Sequence, residues 1–148
     1  MRYWEDLSDG DRFDCGTHTI TMQEIADFGR QFDPQPFHCD EAGGASSVYG
    51  GVVASGFHTL SLCNRMAHDA FLNEVAAMGS TALDETRWVL PVRPGDVLSL
   101  RVLVVQTVAS RTKPDRGIIR FRYELSNAGR EEVATMTVTE VVRRREKA

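Results

Sequence analysis

The stretch GFHTLSLCNRMAHDAFLNE, residues 56–74, decides the fold. Leu60, Cys63, Ala67 and Phe71 recur at helical spacing as one apolar stripe, and Leu62 and Met66 widen it. A helix with so broad an apolar face is expected to be wrapped by other structure rather than to rest on it. The chain that follows can do the wrapping. Leu98, Leu100, Val102 and Val104 alternate with Ser99, Arg101 and Leu103, and Ile119, Phe121, Tyr123 and Leu125 alternate with Arg120, Arg122 and Glu124. Val133 to Val142 is β-branched and also keeps period two. Pro94-Gly95-Asp96 and Asn127-Ala128-Gly129 are the expected turns between these strands. The pattern predicts an α+β fold, an antiparallel sheet curled around one long helix.

Upstream, a short strand is followed by Thr21 and Glu24, a T-x-x-E capping box in which each side chain satisfies an amide at a helix start. Ile25, Phe28, Gly29 and Phe32 form the apolar stripe of that helix, and Pro34 and Pro36 end it.

The 148 residues are 42% hydrophobic and 26% charged, which suits one domain spanning 1–148. They are too few for a dinucleotide-binding domain beside a substrate domain. Seventeen basic against 21 acidic side chains argues against a nucleic-acid partner. No apolar run reaches the ~18 residues of a membrane span. The opening MRYWEDLSDGDRF is acidic where a secretory signal would be basic and then apolar, so a cytoplasmic location is expected. Cys15, Cys39 and Cys63 are odd in number and widely spaced, which predicts reduced thiols with neither a disulfide framework nor a metal site.

The net charge of -4 is unevenly placed. Residues 1–41 hold three basic side chains (Arg2, Arg12, Arg30) against ten acidic ones. Residues 87–122 hold eight basic side chains against Asp96 and Asp115. Segregation of this kind creates local fields that the total hides.

Chemistry concentrates in FDPQPFHCDE, residues 32–41. Asp33 and His38 are five residues apart on a segment stiffened by two prolines. General acid–base catalysis needs two proton-handling groups held within reach of one small molecule. The spacing permits such a dyad without requiring one, because Asp-Pro also opens ordinary turns and a lone histidine is commonly structural. Asp40 reads as the cap of a following short helix. The second candidate is GVVASGFH, residues 51–58, which runs into the long helix. Gly56 at that helix start either lets a ligand approach free amides at the positive end of the dipole or simply allows tight packing.

Together, FDPQPFHCDE, VVASGFHTLSL and the later RWVLPVRPGDVL resemble the MaoC-like dehydratases, hot-dog-fold proteins that include the (R)-specific enoyl-CoA hydratases (hydratase 2). The resemblance covers nearly the whole chain. It implies a single hot-dog domain, and a lyase that adds water to, or removes it from, an acyl-CoA thioester, converting trans-2-enoyl-CoA to the (3R)-hydroxyacyl form. Asp33 and His38 would hold and activate the water, and the Gly56 amide would polarise the thioester carbonyl. Three positions depart from the hydratase 2 pattern: Gln35 stands for the usual asparagine, Phe37 for leucine or valine, and Ser55 for the histidine before the helix glycine. Gln35, Phe37, Ser55, Phe57 and Asn64 are the expected substrate-binding residues, with Met66 a further candidate for the pocket wall and His58 a candidate pocket residue.

The resemblance implies no cofactor beyond the coenzyme A of the substrate. Arg111, Lys113 and Arg116, around Pro114, are the candidate binders of its phosphates, the alternative being a solvated loop. Arg143, Arg144, Arg145 and Lys147 read as a frayed end. A curled sheet leaves an edge strand to hide, so a homodimer or higher homo-oligomer is expected. Two other readings stay open. One is a hot-dog thioesterase, for which the long helix offers only Asp69 and Glu74 as carboxylates. The other is a non-catalytic acyl-thioester-binding subunit.

Overall fold

The computed structural model describes residues 1–146. It contains five strands, β1 (Arg12–Thr19), β2 (Ala77–Trp88), β3 (Val97–Ala109), β4 (Arg116–Ser126) and β5 (Glu132–Arg143). They form one antiparallel sheet in the order β1-β3-β4-β5-β2. Three helices accompany it: α1 (Met22–Phe32), α2 (Glu41–Ala45) and α3 (Gly56–Ala70). This is the hot-dog arrangement. The inward residues of β3 and β4 (Leu98, Leu100, Val102 and Val104; Ile119, Phe121, Tyr123 and Leu125) are almost wholly buried. They pack in one core with Leu62, Cys63, Met66 and Ala67 of α3. Burying a side chain of this size contributes about 1.5–3 kcal/mol. Cys15 and Cys63 are buried free thiols in that core, and burial pushes them up to about 11 and about 12, so neither is a ready nucleophile.

The long helix is shorter than its pattern predicts. It ends at Ala70, and Phe71 leaves helical geometry at φ -155°. That break swings the Phe71 ring into a stack on Phe13, with centroids 4.0 Å apart, and against Phe121. Aromatic packing outweighs the one helical turn given up, which becomes a 3₁₀ turn at Leu72–Glu74.

β2 has no counterpart in the periodicity. Its twelve residues are exposed apart from a half-buried Thr86, and the register with β5 shifts three times. An edge strand pairs on one side only and is not patterned by burial. Its irregularity serves a contact. Glu85 adopts φ 48° at one of these shifts, and its carboxylate lies 3.8 Å from both Arg120 and Arg122 on the outer face of β4.

The capping box forms as predicted: the Glu24 amide donates to the Thr21 hydroxyl at 3.1 Å and the Thr21 amide to the Glu24 carboxylate at 2.7 Å. The stripe of α1 is shorter than expected, because Ile25 and Gly29 are buried while Phe32 is 64% exposed. Asp40 caps α2, accepting from the Gly43 amide at 2.7 Å. The C-terminal arginines are not frayed. Arg144 donates to Glu5 at 2.9 Å and Arg145 grips Asp6 with two bonds of 2.7 and 2.8 Å, while their guanidinium groups lie over Trp4 and Tyr3. The acidic N-terminus supplies the partners, so much of that positive charge is neutralised. Lys147 lies outside the described residues.

Pairing also sorts the loops to two ends. Trp88 and Leu125 both face Ala134, Leu100 faces Leu125, and Thr19 faces Val97. One end of the sheet therefore collects the end of β2, the start of β3 and the end of β1. The β3–β4 loop and the start of β2 lie at the other, where Ala77 and Gly117 both face Val142.

Candidate active site

The segment between α1 and α3 crosses the first of these ends and holds the Asp33/His38 pair. Asp33 caps the C-terminus of α1, its amide donating to the Gly29 carbonyl at 2.9 Å. Its own carbonyl accepts from the Gln35 amide at 2.8 Å, and the Gln35 carbonyl accepts from the His38 amide at 2.9 Å. Pro36 starts the 3₁₀ turn that carries His38. These bonds hold the two backbones close, and His38 Nε2 lies 3.4 Å from Asp33 Oδ2. A second tether comes from the approach to α3. His38 Nδ1 sits 2.6 Å from the Val53 carbonyl, which can only accept, so Nδ1 carries the proton and Nε2 is presented to Asp33. The Val53 amide in turn donates to the Phe37 carbonyl at 3.0 Å.

Gly29 makes this placement possible. A side-chain carbon there would collide with the His38 carbonyl and lie 2.9 Å from the His38 Cβ, so α1 presses its backbone directly on the histidine. Close approach recurs at Gly56, where an added Cβ would lie 2.7 Å from the Trp88 indole. The indole Nε1 donates to the Gly56 carbonyl at 2.9 Å. Among the described residues the Gly56 amide has no acceptor, which is the condition of a donor at the first turn of a helix.

A cavity of about 610 Å³ opens over these groups. Asp33, His38, Gly56, Phe37, Phe57 and Tyr49 line it, with the Trp88–Val92 segment forming another wall. It is largely apolar with one acid–imidazole pair and one free backbone donor, the composition of a small-molecule site. Such a site can position a neutral acyl group, hold a water and move two protons.

The structure thus joins Asp33, His38, Gly56, Phe37 and Phe57 in one cavity. Ser55 is beneath it, fully buried, donating from its hydroxyl to Asp33 Oδ2 at 2.7 Å rather than facing a ligand. Gln35 contributes backbone bonds, while its side chain is exposed and outside the cavity wall. Asn64 is exposed on α3 away from the cavity, and Met66 is core. His58 stacks on Phe28 at 4.7 Å and does not line the cavity. Arg111, Lys113 and Arg116 lie at the opposite end of the sheet, where Arg116 is held in a two-bond pair with Asp115. The alternating sequence of β3 and β4 places them there, since a hairpin puts its loop a full strand length from its open end.

Sequence reasoning missed Trp88 and Tyr49. Trp88 ends a strand without periodicity, and Tyr49 belongs to a Gly/Ser-rich stretch, AGGASSVYGG at residues 42–51, whose shape is set by tertiary bonds, among them Arg93 donating to the Tyr49 carbonyl at 2.8 Å.

A sheet wrapped on a central helix, with an acid–imidazole pair beside the helix start, defines the class of hot-dog dehydratases. The chain belongs to the MaoC-like dehydratase family: the family model described as MaoC like domain matches residues 10–121. It is 35% identical to a MaoC-like dehydratase from Rhodospirillum rubrum, whose crystal structure it matches with a TM-score of 0.87 over 99% of this chain and 100% of that one. It is 28% identical over 102 residues to the protein MaoC of Klebsiella aerogenes, covering 68% of this chain and 30% of that protein's length. The fold is also that of the R-hydratase PhaJ1 from Pseudomonas aeruginosa, at 20% identity and a TM-score of 0.72, over 99% of this chain and 88% of that one. Among the described residues no helix is long and apolar enough to cross a membrane.

Proposed function

We propose that the protein is a hydratase/dehydratase of trans-2-enoyl and (3R)-3-hydroxyacyl thioesters of coenzyme A, acting in the cytoplasm without a further cofactor. The observation that carries this reading is the joining of Asp33, His38 and the unpartnered Gly56 amide at one apolar cavity. In the hydration direction Asp33 takes a proton from water as its oxygen bonds to C3. His38, carrying a second proton on Nε2, helps hold the water and delivers that proton to C2, or the two roles are exchanged with Asp33 as the protonated partner. The proton taken from water then passes between Asp33 and Nε2 and restores the pair. Either way the water's hydroxyl ends on C3, and a proton ends on C2. The Gly56 amide binds the thioester oxygen, where negative charge develops; removing one such donor typically costs about 2.7–4 kcal/mol in the barrier.

The thioesterase reading is weaker, because Asp69 is tied to Arg65 at 2.7 Å on an exposed face and Glu74 is exposed beyond the helix end. The test is a panel of enoyl-CoA and hydroxyacyl-CoA thioesters, followed by enoyl absorbance and by free thiol. Loss of enoyl absorbance without thiol release is expected. Thiol release from acyl-CoA, or tight binding with no turnover of any member, would sink the proposal.

The working unit in this reading is a homodimer joined through the β2 edges. Antiparallel pairing about a twofold axis sets the two sheets end against end. Each protomer's Arg111 and Lys113 then lie at the end of the assembly that carries its partner's dyad, where coenzyme A phosphates would need positive charge.

A further inference from the structure

Resting on the hydratase reading, we infer that Ser55 is a positioning residue that aims the Asp33 carboxylate, holding Oδ2 so that Oδ1 is left for the reacting water. The Asp33 backbone is tied down, but that leaves its side-chain torsions free, and the carboxylate is still partly open to solvent. Two groups reach it from the protein. His38 Nε2 stands 3.4 Å from Oδ2, a long approach, whereas the Ser55 hydroxyl donates to the same oxygen at 2.7 Å. No other bond from the described residues reaches Oδ1, so one oxygen is engaged and the other remains available.

Ser55 is itself held. It is the N-cap of α3, and its hydroxyl oxygen accepts from the Phe57 amide at 3.3 Å. A hydroxyl has one hydrogen, and with its oxygen engaged by the helix amide that hydrogen is given to Asp33. The rigid first turn of α3 therefore reaches through one atom to a carboxylate 22 residues earlier. The same turn supplies the free Gly56 amide, so the Asp33 carboxylate and the carbonyl-binding donor are registered to one helix end. Misplacing a reacting group by 1 Å can cost ~10²-fold in rate, which is the scale on which such registration matters. Ser55 has no exposed surface, which removes it as a nucleophile or a ligand contact.

Capping and aiming are separable by substitution. Glycine caps a helix nearly as well as serine, alanine does not, and both lack the hydroxyl. Ser55→Gly and Ser55→Ala should each lower kcat about 10- to 100-fold on an active enoyl-CoA, with KM changed less than about twofold. The alanine variant alone should melt at clearly lower temperature. In an Asp33→Asn background, adding Ser55→Gly should cost no further kcat, because the group it aims is gone. Wild-type kcat in Ser55→Gly would overturn the inference. So would a loss confined to Ser55→Ala, or an equal loss in both backgrounds. A wild-type protein that hydrates no enoyl thioester overturns the hydratase reading instead, and with it the role that rests on it.

Discussion

His38 shows how much of the site is decided by single atoms. One ring nitrogen is committed to the Val53 carbonyl, so the other has to face Asp33, and a residue with two possible tautomers acquires one orientation. Asp33→Asn and His38→Gln are each expected to lower kcat by about 10²- to 10⁴-fold, the usual contribution of a general acid or base, with circular dichroism and melting temperature nearly unchanged. Near-wild-type turnover in either variant would remove that residue from the chemistry. A different histidine is expected to contribute to acid stability. His58 is stacked on Phe28 with its Nδ1 buried and unpartnered, and burial lowers its pKa from the ordinary 6.5. The neutral form is the one the fold accepts, so its contribution is full above the unfolded value and is lost as pH falls. Urea midpoints of the wild type should decline between about pH 7 and pH 5 more steeply than those of His58→Phe. Parallel declines would remove His58 as the cause.

At the scale of elements, α1 works as a platform for the dyad. Its capping box was legible as T-x-x-E, and its apolar stripe included Gly29 by spacing alone. The reason for a glycine there was not legible, because the His38 backbone arrives from nine residues later. Gly29→Ala should destabilise the protein by about 1–3 kcal/mol, the cost of forcing a methyl into a packed contact. It should also depress turnover by displacing His38. Equilibrium urea unfolding and turnover of the same preparation check both, and a variant unchanged in each would refute the platform role. β2 is the converse case. Its exposure on nearly every residue erased the signal that made β3, β4 and β5 readable, although it carries Trp88 to the Gly56 carbonyl.

For the whole molecule, the open edge of β2 and its exposed Leu83 and Trp88 call for a partner strand. Light scattering should return twice the chain mass of 16.5 kDa, and a monomeric mass would contradict the dimer. Replacing both Arg111 and Lys113 by alanine should raise KM for CoA thioesters while leaving kcat alone. It should leave KM unchanged for a short pantetheine thioester that lacks the phosphates. An effect on both substrates would place these residues outside phosphate recognition.

The sequence by itself determined the helix at the centre and strands β3 and β4, since burial on one face imposes a period that survives in one dimension. β5 does not keep the expected period two, being buried on both faces from Val133 to Val138, and was legible from its β-branched run, as the acid–imidazole motif was from its residues. It also carried Asp40 as a helix cap and the Thr21 box, which are local bonds between near neighbours. Contacts across the chain needed the tertiary structure: Ser55 under Asp33, Trp88 on Gly56, Arg144 and Arg145 on the N-terminal acids, and the separation of the basic loop from the dyad. Each joins residues tens of positions apart, and such pairs exist only once the sheet has chosen its register and the helix its place within it.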